Sequence, residues 1–431
     1  MNKKKSKNKN TSFKWFENAK IYQVLIDRYA GYKEKYNVEN LKKNFIYGNL
    51  QALMTKLDYI KSLNFNMIYL SPFYVNHQNA YHGYHSINFN HVDPRFAFGE
   101  KPKDNNIGNA LDPNDVKTET SSDLFLKQFI GECHKKNLFV MMDMVPNHLH
   151  KDHPFFIDAL KNKNSKYRDW FYFLDNPKNK YVPYLCFLSY GELPKLNLDN
   201  EECFNYIINS TKKFLSYDID ALRIDHCIGP KLQTLKKIVD NIHKDYPDVP
   251  CIGECMTFCI EKNYQSIFGV KKEYLEYTNI KSLNNIKYLD EIFLNYVNIL
   301  DGVIDFSFQL IIQTFAEGKI TENECLKEIE KHFERFEKYN NFFLLKNVDS
   351  HDNDRILFIC KNNISVFKKI MNLLFRKYNG RSDPLIFYYG TEDFMTQEKS
   401  IASEPYGDYQ CRKPMEFSMQ WMKHFFKEKN E

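Results

Sequence analysis

Asp220-Ala-Leu-Arg-Ile-Asp225-His226 is the stretch on which the reading of this chain turns. It is a short apolar strand that carries an arginine and a carboxylate, two residues apart, at its C-terminal end. Side chains alternate along a strand, so Arg223 and Asp225 point to one side while Leu222 and Ile224 point to the other. A carboxylate beside a guanidinium stays ionised near neutral pH, which suits a nucleophile better than an acid. One such pair on its own is an ordinary structural ion pair. Its meaning depends on what the other strands bring to it.

Outward from this strand the same unit repeats. Apolar strand patterns occupy residues 20–27, 67–71, 138–145, 219–225, 250–254, 302–306, 342–348 and 385–390. Helical spacing of apolar residues lies between them, at 49–63, 123–136, 201–215, 231–244 and 365–378, with a last helix expected at 417–426. Near-continuous apolar strands alternating with helices predict a parallel sheet, and eight repeats predict a closed (β/α)8 TIM barrel. In such a barrel the C-terminal strand ends face the active site. The polar ends here are Asp143 with Asn147 and His148, Arg223 with Asp225, Glu254, and His351 with Asp352.

The connection between the third and fourth strands is too long for a simple helix. We read residues 147–200, with Trp170 and many Tyr and Phe, as an inserted subdomain over the barrel mouth, and 101–121 as a surface loop. The remaining divisions are a disordered, Lys- and Asn-rich tail over 1–15 and the two parts of the catalytic barrel, 16–146 and 201–431.

Composition excludes several classes. With 431 residues, 43% apolar and 16% aromatic, the chain can bury a large core. The formal charge of +5 is accounted for by Lys3, Lys4, Lys5, Lys7 and Lys9, so the folded part has no net basic surface and no nucleic-acid partner is expected. No apolar run approaches the ~18 residues of a membrane span, and Thr11 to Glu17 is broken by charges, unlike a signal-peptide core. The ten cysteines are scattered, and Cys227, Cys251 and Cys360 fall in apolar strand patterns, which suits buried thiols in a reducing, cytoplasmic setting. Cys251-x3-Cys255-x3-Cys259 has neither zinc nor iron–sulfur spacing.

Three carboxylates could carry one reaction. Cleaving a glycosidic bond with retention needs a nucleophilic carboxylate and, ~5–5.5 Å away, a protonated carboxyl. Asp225 has the ionising neighbour. Glu254 lies in Cys-Ile-Gly-Glu-Cys, where apolar surroundings raise a carboxyl pKa and favour the acid/base. Asp352, after His351, is placed to favour a cationic transition state.

These motifs carry a resemblance. The chain resembles the alpha-amylase family of retaining glycoside hydrolases, family 13, over about residues 20 to 420. Asp143-Met-Val-Pro-Asn147-His148 is similar to the family's first motif, Ala221 to His226 to its second, Gly253-Glu254 to its third and Val348-Asp-Ser-His351-Asp352 to its fourth. Leu193-Pro-Lys-Leu-Asn197 is similar to the form found in oligosaccharide-acting, neopullulanase-like members. The resemblance implies Asp225 as nucleophile, Glu254 as acid/base and Asp352 as transition-state stabiliser. It also implies sugar contacts from His82, Tyr84, His148, Arg223 and His351. Asn147 matches a position that ligates calcium in many members, so calcium is a possible ion, and no other cofactor is required. Two departures stand out. His85 and Asn88 replace residues more usual in the family, and the chain ends at Glu431, so no β-sandwich is expected after the barrel.

The expected activity is cleavage of α-glucosidic, first of all α-1,4, bonds in maltooligosaccharides or related α-glucans. A 4-α-glucanotransferase would use the same residues. A non-catalytic sugar-binding relative is the alternative of another class, and the three intact carboxylates argue against it.

Overall fold

The computed structural model describes residues 13–32, 38–100, 112–175, 182–188, 190–256, 266–274 and 283–418. Eight parallel strands close into a barrel: β1 (Lys20–Val24), β2 (Met67–Leu70), β5 (Phe139–Met144), β6 (Ala221–Ile224), β7 (Cys251–Gly253), β8 (Gly302–Asp305), β9 (Phe343–Lys346) and β10 (Leu385–Tyr388), which returns to β1. Each falls inside its expected window and is shorter than it. β2, β6 and β9 are buried at every position, since one face lines the barrel interior and the other lies under helices.

The helices follow their signals. Ser121–Lys135 starts in a capping box made by Thr120 and Asp123, and Glu201–Leu215 is capped by the Asn200 side chain. The helix expected over 49–63 is instead two, Leu50–Met54 and Leu57–Ser62. The Thr55 hydroxyl bonds back to the Ala52 carbonyl at 2.7 Å, a local bond that competes with the helix ladder. The last expected helix, 417–426, lies outside the described residues from 419 on. Phe417 has φ +54°, so no helix begins there.

Two segments build the rim. β3 (Tyr74–Asn76) and β4 (Ser86–Val92) form an antiparallel pair between β2 and β5. The strand reading of the sequence left it out, although Ile87, Asn88, Phe89 and Asn90 alternate with the period of a strand. Gly83 turns this segment at φ +93°, and a Cβ there would lie 2.0 Å from the Pro72 carbonyl oxygen. Residues 147–200 run as a helix, Pro154–Lys161, a 3₁₀ turn, Arg168–Trp170, and isolated bridges such as His148–Lys195 and Phe171–Leu196. An aromatic cluster holds them: Phe155 meets Tyr167 at 4.1 Å and Trp170 at 5.2 Å, and Trp170 meets Tyr206 on Glu201–Leu215 at 5.6 Å.

The N-terminal boundary needs a correction. Phe13 and Trp15, assigned to the tail, pack against the core, Trp15 lying 4.5 Å from Phe139 at the start of β5. Phe16 is fully buried and meets Phe343, the first residue of β9, at 5.3 Å. These rings close the N-terminal end of the barrel. The cysteine reading shifts too: only Cys251 lies in a strand, Cys227 follows β6 in a turn and Cys360 ends a short helix, Ile356–Ile359. The nine described cysteines are all buried and unpaired. Among the described residues no helix is long and apolar enough to cross a membrane.

Candidate active site

Barrel register brings the charged strand ends to one level. Asp143 pairs with Arg223 across β5 and β6, and Arg223 pairs with Ile252 across β6 and β7. Beyond the assigned strands the backbone stays pinned: Asp225 donates to the Met144 carbonyl at 2.8 Å and Glu254 to the Ile224 carbonyl at 2.9 Å. Asp225 and Glu254 are therefore held on adjacent strand ends by the ladder itself.

Arg223 is the hub. One terminal nitrogen, Nη1, donates to Asp143 and to Asp225, each at 2.7 Å, while Nη2 pairs with Glu254. The sequence reading gave this guanidinium to Asp225 alone and surrounded Glu254 with apolar residues only. The fold shares it among three carboxylates because a planar fork with five donors reaches both neighbouring strands. The second oxygen of Asp225, Oδ2, is buried with no hydrogen-bond partner among the described residues. Glu254 Oε2 accepts the His226 backbone N–H at 3.0 Å.

The electrostatics follow from burial and from counting charges. Burial raises the Asp225 carboxyl above the ordinary carboxylate range; Arg223 opposes this, and Glu254 and Asp143 reinforce it. Burial likewise raises Glu254, again opposed by Arg223 and reinforced by Asp352. Asp225 and Glu254 are thus both shifted towards the protonated form, and two carboxyls this close titrate together, not independently. This corrects the expectation that Arg223 keeps Asp225 fully ionised. Asp352 goes the other way. Burial pushes it up, but His351 at 3.0 Å and Arg412 at 2.8 Å outweigh burial and hold it well below the usual range.

Tyr84 links the two halves. Its hydroxyl donates to Asp143 at 2.7 Å and lies 2.8 Å from His351 Nε2, with the two rings parallel at 5.4 Å. His82 accepts the Tyr84 backbone N–H at 3.2 Å and stacks on its ring at 5.7 Å. A continuous network thus runs from Glu254 and Asp225 through Arg223, Asp143, Tyr84 and His351 to Asp352. His148 meets that network through a hydrogen bond with the Tyr84 backbone, and its ring lies 4.8 Å from the Phe187 ring. Burial lowers His148 to about 3 and His82 well below its usual range, so both imidazoles are neutral.

Several participants had no individual signal in the sequence. Arg412, past the last barrel strand, donates to Asp352 and to the His351 carbonyl; Gln23 of β1 lies 2.9 Å from His351 Nδ1; Tyr69 of β2 donates to Asp143 at 2.7 Å. Gln23 and Tyr69 could have been sought as polar groups on the interior face of apolar strands. Nothing in the residues around Arg412 points to Asp352.

Asn147 does not join a cation site. Its Oδ1 accepts from the Lys195 ammonium at 2.6 Å, and the same ammonium donates to the Gly229 carbonyl at 3.0 Å. Calcium needs six to eight oxygen ligands. Here the buried Lys195 amine already takes both oxygens, so calcium does not fit as Asn147 is placed. Burial lowers Lys195 to about 7.

Comparisons with known proteins agree with this fold. Residues 5–428 match the model of the alpha amylase catalytic domain. Alpha-amylase 2 of Dictyoglomus thermophilum is 29% identical over 376 residues, covering 85% of this chain and 55% of that protein. The intracellular maltogenic amylase of Bacillus subtilis is 24% identical over 412 residues, covering 93% and 58%. The chain thus spans little more than half the length of these curated relatives. Among solved structures, the ligand-free cyclic alpha-maltosyl-(1→6)-maltose hydrolase of Arthrobacter globiformis superimposes with a TM-score of 0.71 at 17% identity, over 96% of this chain and 82% of that one.

Proposed function

Because the chain belongs to the alpha-amylase catalytic-domain family, we propose that it is a retaining glycoside hydrolase that cleaves α-glucosidic, first of all α-1,4, bonds in maltooligosaccharides or related glucans. Its relatives are named alpha-amylases, maltogenic amylases and cyclomaltodextrinases. The observation that carries the reading is the Arg223 fork, which holds Asp225 on one nitrogen and Glu254 on the other while leaving Asp225 Oδ2 unpartnered.

In this reading Asp225 Oδ2 attacks the anomeric carbon. Glu254 supplies its proton to the leaving oxygen, then takes one from the water that releases the sugar. Arg223 fixes both carboxylates. Asp352, ionised beside His351 and Arg412, stabilises the positive charge that develops on the sugar ring. Tyr84 offers its ring to the apolar face of a pyranose, and His82, His148 and His351 serve its hydroxyls. Residues 147–200 act as a subdomain shaping one side of the mouth. The nine described cysteines, all buried and unpaired, support a reducing compartment, the cytoplasm.

Replacing the carboxylates tests the roles: Asp225→Asn and Glu254→Gln should each lower kcat on maltotriose by at least about a thousandfold, and near-normal turnover in either would overturn the assignment. Transfer to a second sugar is the competing outcome. It is favoured by His226, which bonds Glu254 through its backbone and packs edge-on against Phe187 at 4.7 Å, giving an aromatic flank on the acid/base side. Glucose and maltose alone from maltotriose would mark a hydrolase, and longer products a transferase.

A further inference from the structure

Two tyrosines stand out at the barrel mouth. Tyr190 and Tyr406 are 58% and 56% exposed, the two most exposed large hydrophobic side chains among the described residues. A single exposed ring is ordinary on a protein surface. These two are set apart by where they stand and by how firmly they are held.

Tyr190 lies in the 147–200 segment, on the Glu254 side. Its ring stacks on Phe187, with centroids 6.2 Å apart and planes 16° from parallel, and Phe187 meets the His226 ring edge-on at 4.7 Å. His226 follows Asp225 and donates its backbone N–H to Glu254. The turn that carries these rings is tight. Phe187 donates to the Leu193 carbonyl at 2.8 Å, while Tyr190 donates to the Phe187 carbonyl and Leu193 to the Tyr190 carbonyl, each at 2.9 Å. The Tyr184 hydroxyl adds a bond to the Gly191 carbonyl at 2.8 Å. Leu188, inside the turn, sits at φ +49°, a left-handed region that bulky side chains seldom enter.

Tyr406 lies past β10, on the Asp352 side. Two residues on, Asp408 pairs with Arg412, whose guanidinium donates to Asp352 at 2.8 Å and to the His351 carbonyl at 2.7 Å. Lys43, the last residue of the helix Val38–Lys43, covers one face of Tyr406 with its ammonium 4.0 Å from the ring centre, which leaves the other face to the solvent. Tyr409 packs with Leu41 and Ile46 and fastens this loop to the same helix. Tyr406 itself sits at φ +59°. Strain of this kind persists only where the surroundings impose it, so both rings are fixed in place.

Barrel order sets the two rings opposite each other. Round the closed sheet, β1-β10-β9-β8-β7-β6-β5-β2, the pair β6 and β7 lies across from the pair β10 and β1. Asp225, His226 and Glu254 follow the first pair; Lys43 and Tyr406 follow the second. A leaving group protonated by Glu254 lies on the Glu254 side, which is the side of Tyr190. Aromatic rings offer flat apolar faces with a polar tip, and a pyranose has an apolar face to match.

We propose that Tyr190 and Tyr406 are the outer sugar platforms of one cleft, Tyr190 stacking on a glucosyl unit of the leaving half and Tyr406 on one of the retained half, so that the mouth selects linear maltooligosaccharides longer than maltotriose. This rests on the proposed α-glucan cleavage and adds the length of chain that is preferred. The test is the cleavage pattern of maltohexaose labelled at its reducing end, in the parent, Tyr190→Ala and Tyr406→Asn. Asparagine tolerates the left-handed backbone that Tyr406 holds. The label stays with the leaving half. Loss of Tyr190 weakens the hold on that half, so the chain slides away from it and the labelled fragments become shorter. Loss of Tyr406 should lengthen them. The ratio of labelled maltose to labelled maltotriose should move by at least about threefold, in opposite directions in the two variants. The parent kcat/KM should rise from maltotriose to maltohexaose, and that rise should flatten in both. Fragment ratios are formed within each variant, so a general loss of folded enzyme does not move them. Unshifted ratios in either variant, or shifts in the same direction, would overturn the proposal while α-glucan cleavage stands. A parent that cleaves none of these glucans would overturn the cleavage reading, and the proposal with it.

Discussion

Arg223 contributes through the shape of its side chain as much as through its charge, since it spans three carboxylates from two strand ends and the barrel interior. A lysine would keep the charge and lose the fork. Arg223→Lys should therefore fold and yet lose kcat/KM by about 10²-fold or more, read by steady-state kinetics beside an unfolding curve. The raised Glu254 carboxyl makes a second prediction. Burial raises Glu254 above the ordinary carboxyl pKa, so in its proposed role as general acid it stays protonated to a higher pH than an exposed glutamate would. Activity should fall on the alkaline side as pH rises through that raised value, and Glu254→Gln should abolish this limb of the kcat/KM profile. Asp225, Glu254 and Asp352 were legible one by one as polar ends of apolar strands. The raised pKa values of Asp225 and Glu254 were not, because these depend on burial and on Arg223 touching all of Asp143, Asp225 and Glu254 at once.

Elements are joined by charges that the sequence keeps far apart. His332, on the helix Glu322–Glu334, sits between Asp290 of the helix Ile286–Leu294 and Asp305 at the end of β8, at 2.8 and 2.9 Å, with all three side chains fully buried. Burial alone would lower the imidazole, but the two carboxylates outweigh it and raise it to about 10. A pKa raised on folding adds stability that is complete below the unfolded value, ~6.5, and is lost as pH rises through the folded one. Stability should thus decline between about pH 6.5 and 10, and His332→Leu should cost about 3–5 kcal/mol and flatten that slope in urea titrations. Lys195 plays a different part, tying the far end of the 147–200 segment back to Asn147 at its start and across to Gly229 after β6. Lys195→Ala leaves both buried oxygens without this donor and should cost about 1–3 kcal/mol. The same contact predicts that calcium added to metal-stripped protein changes neither Tm nor turnover; a calcium-dependent rise in either would count against it. Leu193 to Asn197 announced a family stretch, but the partner of its lysine became visible only when the segment closed over the strand ends.

At the scale of the whole molecule the barrel is closed at its N-terminal end by aromatic rings. Phe16 is fully buried against Phe343, so Phe16→Ala should destabilise by about 3–5 kcal/mol, measured by chemical denaturation, with little direct effect on the mouth at the other end. The eight strands were readable because each is a local run of apolar residues whose period does not depend on its neighbours. The same holds for the carboxylates at their ends, since chain direction alone sends a strand's C-terminal residues to the mouth. Tertiary structure decided the rest. Which charges share a guanidinium and which lysine takes the place of an ion are matters of distances between segments remote in the chain. Sequence pattern determined the barrel and the placing of the candidate carboxylates at its strand ends, because both follow from local periodicity. Closure of the barrel determined their protonation and their partners, because burial and electrostatic coupling exist only once the strands are side by side.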